Sequence, residues 1–216
     1  MINQIQEHFK EKGYVVIKKF LDENTSSLLY RYCINKVKQV DFKTTYDKDF
    51  YQESYDGRFG DAQISGSYNC YGDVIMDTLL EASLNDMNNF TGVELIPTYS
   101  YWRFYQTGDI LEKHKDRESC EISTTLCLGY NCSNIKEQTH NWPMYIKHNN
   151  NEIPVHMEPG DMIIYRGCDI EHWRAPFEGL NHAQVFMHYN DKKGPYNIQF
   201  DGRPALGLPS KFSIRK

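Results

Sequence analysis

Two stretches decide the fold: residues 101–116, YWRFYQTGDILEKHKD, and residues 159–179, PGDMIIYRGCDIEHWRAPFEG. The first sets Tyr101, Arg103 and Tyr105 on one face of a strand, breaks at Thr107-Gly108-Asp109 and ends in His114-Lys115-Asp116. The second opens on the turn Pro159-Gly160-Asp161, continues through the apolar run Met162-Ile163-Ile164-Tyr165 and reaches His172 at the start of another strand. On an extended segment the i, i+2 spacing turns His114 and Asp116 to the same side. Two imidazoles and one carboxylate are the ligand set that holds non-haem Fe(II) on one face and leaves the opposite positions open.

Further β-type runs flank these two. Strands are predicted at 98–105, 120–130, 142–147, 153–157, 161–165, 172–174 and 182–189, with turn residues between them. Upstream, 5–12 and about 25–40 read as amphipathic helices, 14–17 as a strand, 41–69 as largely irregular and 73–90 as one long helix. Helices first and short strands after predict an α+β chain whose C-terminal two-thirds is a sandwich or small barrel. We read one domain over 1–216. It has a helical and strand support at 1–95, a β core at 96–190 and an extended arm at 191–216.

Composition narrows the function. The 216 residues suffice for one sizeable core. The excess of 29 acids over 24 bases excludes a broad nucleic-acid footprint. No run approaches the roughly 20 apolar residues of a membrane span, and no signal peptide is visible, so neither nucleic acid nor membrane is an expected partner. Cys33, Cys70, Cys120, Cys127, Cys132 and Cys168 include no C-x-x-C pair, and we expect reduced thiols in a cytoplasmic setting. The same absence, with that of H-E-x-x-H, argues against zinc proteases and deaminases.

The H-x-D triplet alone is weak. With eight histidines a chain of this length shows one by chance about half the time. The bland alternative is a solvated loop, since Lys113, Lys115, Asp116, Arg117 and Glu118 form a charged cluster. Among the competing histidines, His140, His148 and His156 lie in or beside polar turns and read as solvated or structural. His188 shares the strand face of His182 and is placed to look inward.

Taken in order, the opening GYVVIKKFLD at 13–22, the 101–116 segment, and PGDMIIYRGCDIEHWRAPFEG followed by HAQVFMHY resemble the Fe(II)- and 2-oxoglutarate-dependent oxygenases of the prolyl-4-hydroxylase-like type, over roughly residues 13–189. The resemblance implies a double-stranded β-helix (jelly-roll) core braced by helices, with iron on His114, Asp116 and His172. It implies 2-oxoglutarate as co-substrate, O2 at the remaining position and ascorbate as an accessory reductant. Decarboxylation to succinate and CO2 would drive hydroxylation of a C–H bond. The family usually places Arg or Lys about ten residues after the distal His, where this chain has His182. Arg174, two residues past His172, is the rival cation, and both stand as anchors for the far carboxylate. Tyr105 is a candidate hydrogen-bond donor to the co-substrate. Arg103 is a candidate for the co-substrate or for an acid group on the substrate. Asp116 argues against the related halogenases, which vacate that position. The resemblance is strongest to enzymes acting on peptidyl proline, but the loops at 41–69 and 131–141 carry no readable specificity, so an amino acid, a peptide and a protein side chain all stand as substrates. Two other readings are a non-catalytic β-barrel binding module and a cupin-like metalloenzyme that does not use 2-oxoglutarate.

Overall fold

The computed structural model describes residues 2–136 and 140–210. Helix α1 (Ile2–Lys12) buries Phe9 and stops at Gly13, whose φ of +75° lets its N–H reach the Phe9 carbonyl at 2.8 Å. The chain turns directly into β1 (Tyr14–Ile17). Helix α2 (Glu23–Tyr46) starts at Asp22, whose carboxylate accepts the Thr25 N–H at 2.9 Å. It continues past the predicted end near residue 40. Its last turns carry an exposed Phe42–Tyr46 pair, ring centroids 4.8 Å apart, rather than core residues, so apolar periodicity does not reveal them.

The segment read as irregular contains a short helix, α3 (Glu53–Asp56), and two short strands, β2 (Arg58–Phe59) and β3 (Tyr68–Tyr71). The single helix expected at 73–90 is two, α4 (Val74–Ala82) and α5 (Leu84–Thr91). They part at Ser83, whose hydroxyl donates back to the Leu79 carbonyl at 2.7 Å.

Eight strands follow: β4 (Leu95–Gln106), β5 (Leu111–His114), β6 (Ile122–Asn131), β7 (Met144–His148), β8 (Asn151–Val155), β9 (Met162–Arg166), β10 (His172–Arg174) and β11 (Asn181–Asp191). They form a seven-stranded sheet, β1-β9-β6-β11-β4-β3-β2, and a four-stranded sheet, β5-β10-β7-β8, with every recorded pairing antiparallel. This is the jelly-roll, or double-stranded β-helix, arrangement. Strand β5 has no counterpart in the sequence reading because it is an edge strand on which only Leu111 is buried.

The helices pack on the outer face of the large sheet, where Leu29, Cys33, Met76 and Leu80 meet Trp102, Phe104, Val185 and Met187. Alternation therefore turns the odd positions of β4, Tyr99 to Tyr105, inward, together with the even positions of β11, His182 to His188. The register sets these inward residues in rows: Tyr105 beside His182, Arg103 beside Gln184, Tyr101 beside Phe186 and Tyr99 beside His188.

Beyond β11 the chain returns along β4. Arg203 pairs with Asp77 at 2.9 Å, each side chain 1% exposed, and also donates to the carbonyls of Thr98 and Leu208 at 3.0 and 2.6 Å. Residues 211–216 of the expected arm and 137–139 of the expected pocket loop lie outside the described residues. Among the described residues no helix is long and apolar enough to cross a membrane. All six cysteines are free.

Candidate metal centre

Strand β10 lies between β5 and β7, and its register puts His172 opposite His114. The pairing brings the remote histidine to the H-x-D triplet. Oδ1 of Asp116 lies 3.7 Å from Nε2 of His114 and 3.6 Å from Nε2 of His172, and the three residues offer ligand atoms all within 4.8 Å of one another. Each imidazole is oriented from behind. Nδ1 of His114 is 2.8 Å from the Glu112 carbonyl and Nδ1 of His172 is 3.0 Å from the Ile170 carbonyl. A carbonyl only accepts, so both rings carry the proton on Nδ1 and aim the Nε2 lone pair at the centre, which is the ligating tautomer. Burial lowers the pKa of His172 below the ordinary value against the opposing pull of Asp116, which keeps that lone pair free.

Asp116 is held as closely. Its N–H donates to the Gly167 carbonyl at 2.9 Å, and its Oδ2 accepts from the Ser123 hydroxyl at 2.7 Å. A β-carbon on Gly167 would stand 2.5 Å from that Oδ2, 2.5 Å from Ser123 Oγ and 2.3 Å from the Cys120 carbonyl. Only glycine permits this approach.

Deeper between the sheets Tyr105, Trp142 and His182 pack against one another, all buried. Trp142 lies 4.9 Å from the Tyr105 ring and 5.2 Å from His182, and the Arg174 guanidinium sits 4.3 Å above Trp142. Arg174 shares an inward strand face with His172, as the i, i+2 spacing predicts, and is 2% exposed. Its Nη1 donates to the Trp142 carbonyl at 2.7 Å, and no carboxylate pairs with it among the described residues. Burial pushes its pKa down to about 10, which still leaves it charged at neutral pH. Burial, then the neighbouring Arg174 and His140, push His182 well below its ordinary value, so this imidazole is neutral. His140 belongs to the same packed group rather than to solvent. It stacks on Tyr130 at 3.7 Å and on His182 at 5.0 Å, and burial takes it to about 4.

Among the described residues several polar atoms here are buried without a partner: Tyr105 Oη, Arg174 Nη2, His182 Nδ1, His140 Nε2 and, one row along, both amide atoms of Gln184. Native interiors leave few such atoms unpaired, and an uncompensated guanidinium calls for an anion. One cation, a phenol and an amide with unpaired polar atoms are the chemistry that would receive a small dicarboxylic acid.

On the open side of the three ligands is a cavity of about 340 Å³, with Tyr99, Tyr101 and Phe186 on its walls and Arg103, Lys115, Arg117 and His188 around them. Arg103, 2% exposed, is engaged by Asp61 and by Gln63 Oε1 at 3.0 Å, both on the loop after β2. Arg117 is held by Asp201 at 2.6 and 2.9 Å. Ser123, Gly167, Asp61, Asp201 and Gln184 were not found from sequence. Asp61, Asp201, Gly167 and, toward His188, Ser123 meet partners far along the chain, and only the inward face of β11 hinted at Gln184.

No family model and no curated protein matches the chain in sequence. Its structure is similar to a Pseudomonas putida prolyl-4-hydroxylase at 12% identity and a TM-score of 0.65, covering 88% of this chain and 99% of that one. It is similar to the non-heme alpha ketoglutarate dependent epimerase SnoN from nogalamycin biosynthesis, at 12% identity, TM-score 0.64 and coverage of 96% and 94%. It is also similar to a Trichoplax adhaerens prolyl hydroxylase, solved with a hypoxia inducible factor peptide fragment, at 13% identity, TM-score 0.58 and coverage of 91% and 90%. The chain thus has the double-stranded β-helix fold that 2-oxoglutarate–Fe(II) oxygenases share, prolyl hydroxylases among them.

Proposed function

We propose that this protein is an Fe(II)- and 2-oxoglutarate-dependent dioxygenase that hydroxylates a C–H bond of an amino-acid, peptide or protein substrate, a prolyl residue being the first candidate. The observation that carries the reading is the convergence of His114, Asp116 and His172 with both imidazoles already in the ligating tautomer. Iron and 2-oxoglutarate supply the oxidising chemistry when bound, with O2 as the second co-substrate and release of succinate and CO2. The chain's own residues hold, orient and keep dry. Nε2 of both histidines and Oδ1 of Asp116 hold the metal. Arg174 binds the far carboxylate, supported by its full burial and by the lack of a counter-ion among the described residues. The Tyr105 hydroxyl, without a partner among the described residues, donates to the same acid. Neutral His182 offers a hydrogen bond rather than a charge. Arg103 belongs to the substrate side, on the wall of the open cavity. A cytoplasmic setting is part of the proposal and rests on the free thiols.

The test is succinate formation with Fe(II), 2-oxoglutarate, O2 and ascorbate, with and without candidate peptides and amino acids. Slow uncoupled turnover is expected from the wild type and none from Asp116→Ala. Equal turnover in the two proteins refutes the assignment.

A further inference from the structure

At one end of the open cavity, hydrogen-bond valence dictates the order of protons. Ser123 Oγ lies 2.7 Å from Asp116 Oδ2. A carboxylate and the Cys120 carbonyl, 3.1 Å from the same Oγ, both only accept, so the single hydroxyl hydrogen is spent on them, Asp116 being the nearer. The same Oγ lies 3.0 Å from His188 Nδ1. With its hydrogen committed, Oγ accepts, so His188 carries its proton on Nδ1 and donates. The ring is 5% exposed and neutral, which leaves Nε2 a bare acceptor. His188 is cross-strand from Ser123 on one side and from Tyr99 on the other. The Tyr99 ring lies 4.6 Å from it, with Tyr71 stacked 4.7 Å behind Tyr99, so the imidazole is clamped. His188 lines the cavity, and among the described residues no hydrogen bond engages its Nε2. Among the described residues the other charged groups on the cavity wall beyond the ligands are Arg103 and Arg117, already paired with Asp61 and Asp201, and Lys115, so that wall presents no further carboxylate to a substrate ammonium.

We propose that His188 reads a neutral O–H or amide N–H of the substrate through Nε2 and, through Ser123, positions Asp116, so that one hydrogen-bond chain joins substrate recognition to metal-ligand geometry. The inference rests on the iron-enzyme reading above and deepens it.

Three variants separate the parts. Ser123→Ala cuts the link. His188→Gln keeps an acceptor near the Nε2 position and loses the Nδ1 donor. His188→Asn keeps a donor near Nδ1 and loses the acceptor. In Mn(II) titration calorimetry, Ser123→Ala and His188→Gln should bind roughly 10–100-fold more weakly than the wild type, with an altered Co(II) d–d absorption spectrum, and His188→Asn should match it. The substrate end is read with two probes, benzyl alcohol and benzyl methyl ether, by relaxation of their ring protons on the Mn(II)-loaded proteins. The wild type and His188→Gln should prefer the alcohol about fivefold, and His188→Asn should show no preference. Wild-type Mn(II) affinity and Co(II) spectrum in Ser123→Ala overturn the positioning role, and an alcohol preference that survives in His188→Asn overturns the recognition role. A wild type that takes up no Mn(II) overturns the iron-enzyme reading and this inference with it, whereas normal wild-type uptake with unaffected variants overturns this inference alone.

Discussion

Replacing Arg174 with methionine separates a ligand anchor from a structural cation. Burial takes the guanidinium from its ordinary value down to about 10. At about 1.36 kcal/mol per pKa unit, the folded chain carries about 3 kcal/mol of destabilisation for keeping it charged. The sign follows from proton uptake. The folded pKa lies below the unfolded one, so the unfolded state binds more protons between about 10 and the ordinary guanidinium value, and stability rises with pH only across that window. At pH 7 the whole cost is present. Against it stand the 2.7 Å bond to the Trp142 carbonyl, about 1.5–3 kcal/mol as a charge-assisted contact, and the Trp142 face at 4.3 Å, about 1–2 kcal/mol. The terms nearly cancel. Arg174→Met should therefore shift the stability of the ligand-free protein by less than about 1.5 kcal/mol either way, or about 3–6 °C in Tm. Removing one partner of a buried ion pair would cost about 3–5 kcal/mol. Co-substrate binding should respond differently. Leaving the far carboxylate desolvated and unpaired costs about 3 kcal/mol or more, a loss of roughly 150-fold in Kd. Calorimetry on the Mn(II)-loaded protein measures this, with 2-oxopentanoate, which lacks the far carboxylate, as control. The wild type should strongly prefer 2-oxoglutarate, and the variant should bind both acids with similar weakness. Wild-type 2-oxoglutarate affinity in Arg174→Met refutes the anchor, and a stability loss above about 4 kcal/mol shows that the guanidinium has a structural partner.

Other perturbations test neighbouring parts. Gly167→Ala should abolish Mn(II) uptake with the fold intact by circular dichroism, because the new β-carbon meets Asp116 Oδ2 and Ser123 Oγ at 2.5 Å; undiminished uptake would refute the tight junction. Acid should destabilise the ligand-free protein well before the carboxylates titrate. Burial holds His140 near about 4 and His182 well below its ordinary value, so the unfolded chain takes up protons as pH falls below about 6.5 while the folded one does not. The urea midpoint should fall between pH 7.5 and 5.0, and an equal or higher midpoint at pH 5.0 contradicts the buried neutral imidazoles. Asp77→Ala strands the buried Arg203 and should cost about 3–5 kcal/mol in urea unfolding, whereas a loss under about 1 kcal/mol would mean the arm does not depend on this pair.

What was legible in the sequence followed strand periodicity. The pairs His114/Asp116, His172/Arg174 and Arg103/Tyr105 face as i, i+2 spacing requires, because a strand's two faces are a local property. What was illegible depended on register between distant strands. Ser123 meets His188 across 65 positions and Gly167 packs on Asp116, yet neither residue carries a local mark of either contact. His140 follows a polar turn and still closes a buried stack with Tyr130. The choice between Arg174 and His182 was open for a different reason. Both lie on inward faces, and position in the chain favoured His182. Burial acts on the two groups in the same direction, but they start about six pKa units apart. A guanidinium lowered to about 10 is still a cation at pH 7, whereas an imidazole lowered from 6.5 is not. Burial therefore separates the two groups: Arg174, with the higher intrinsic proton affinity, keeps the charge that a second carboxylate would need, and His182 does not.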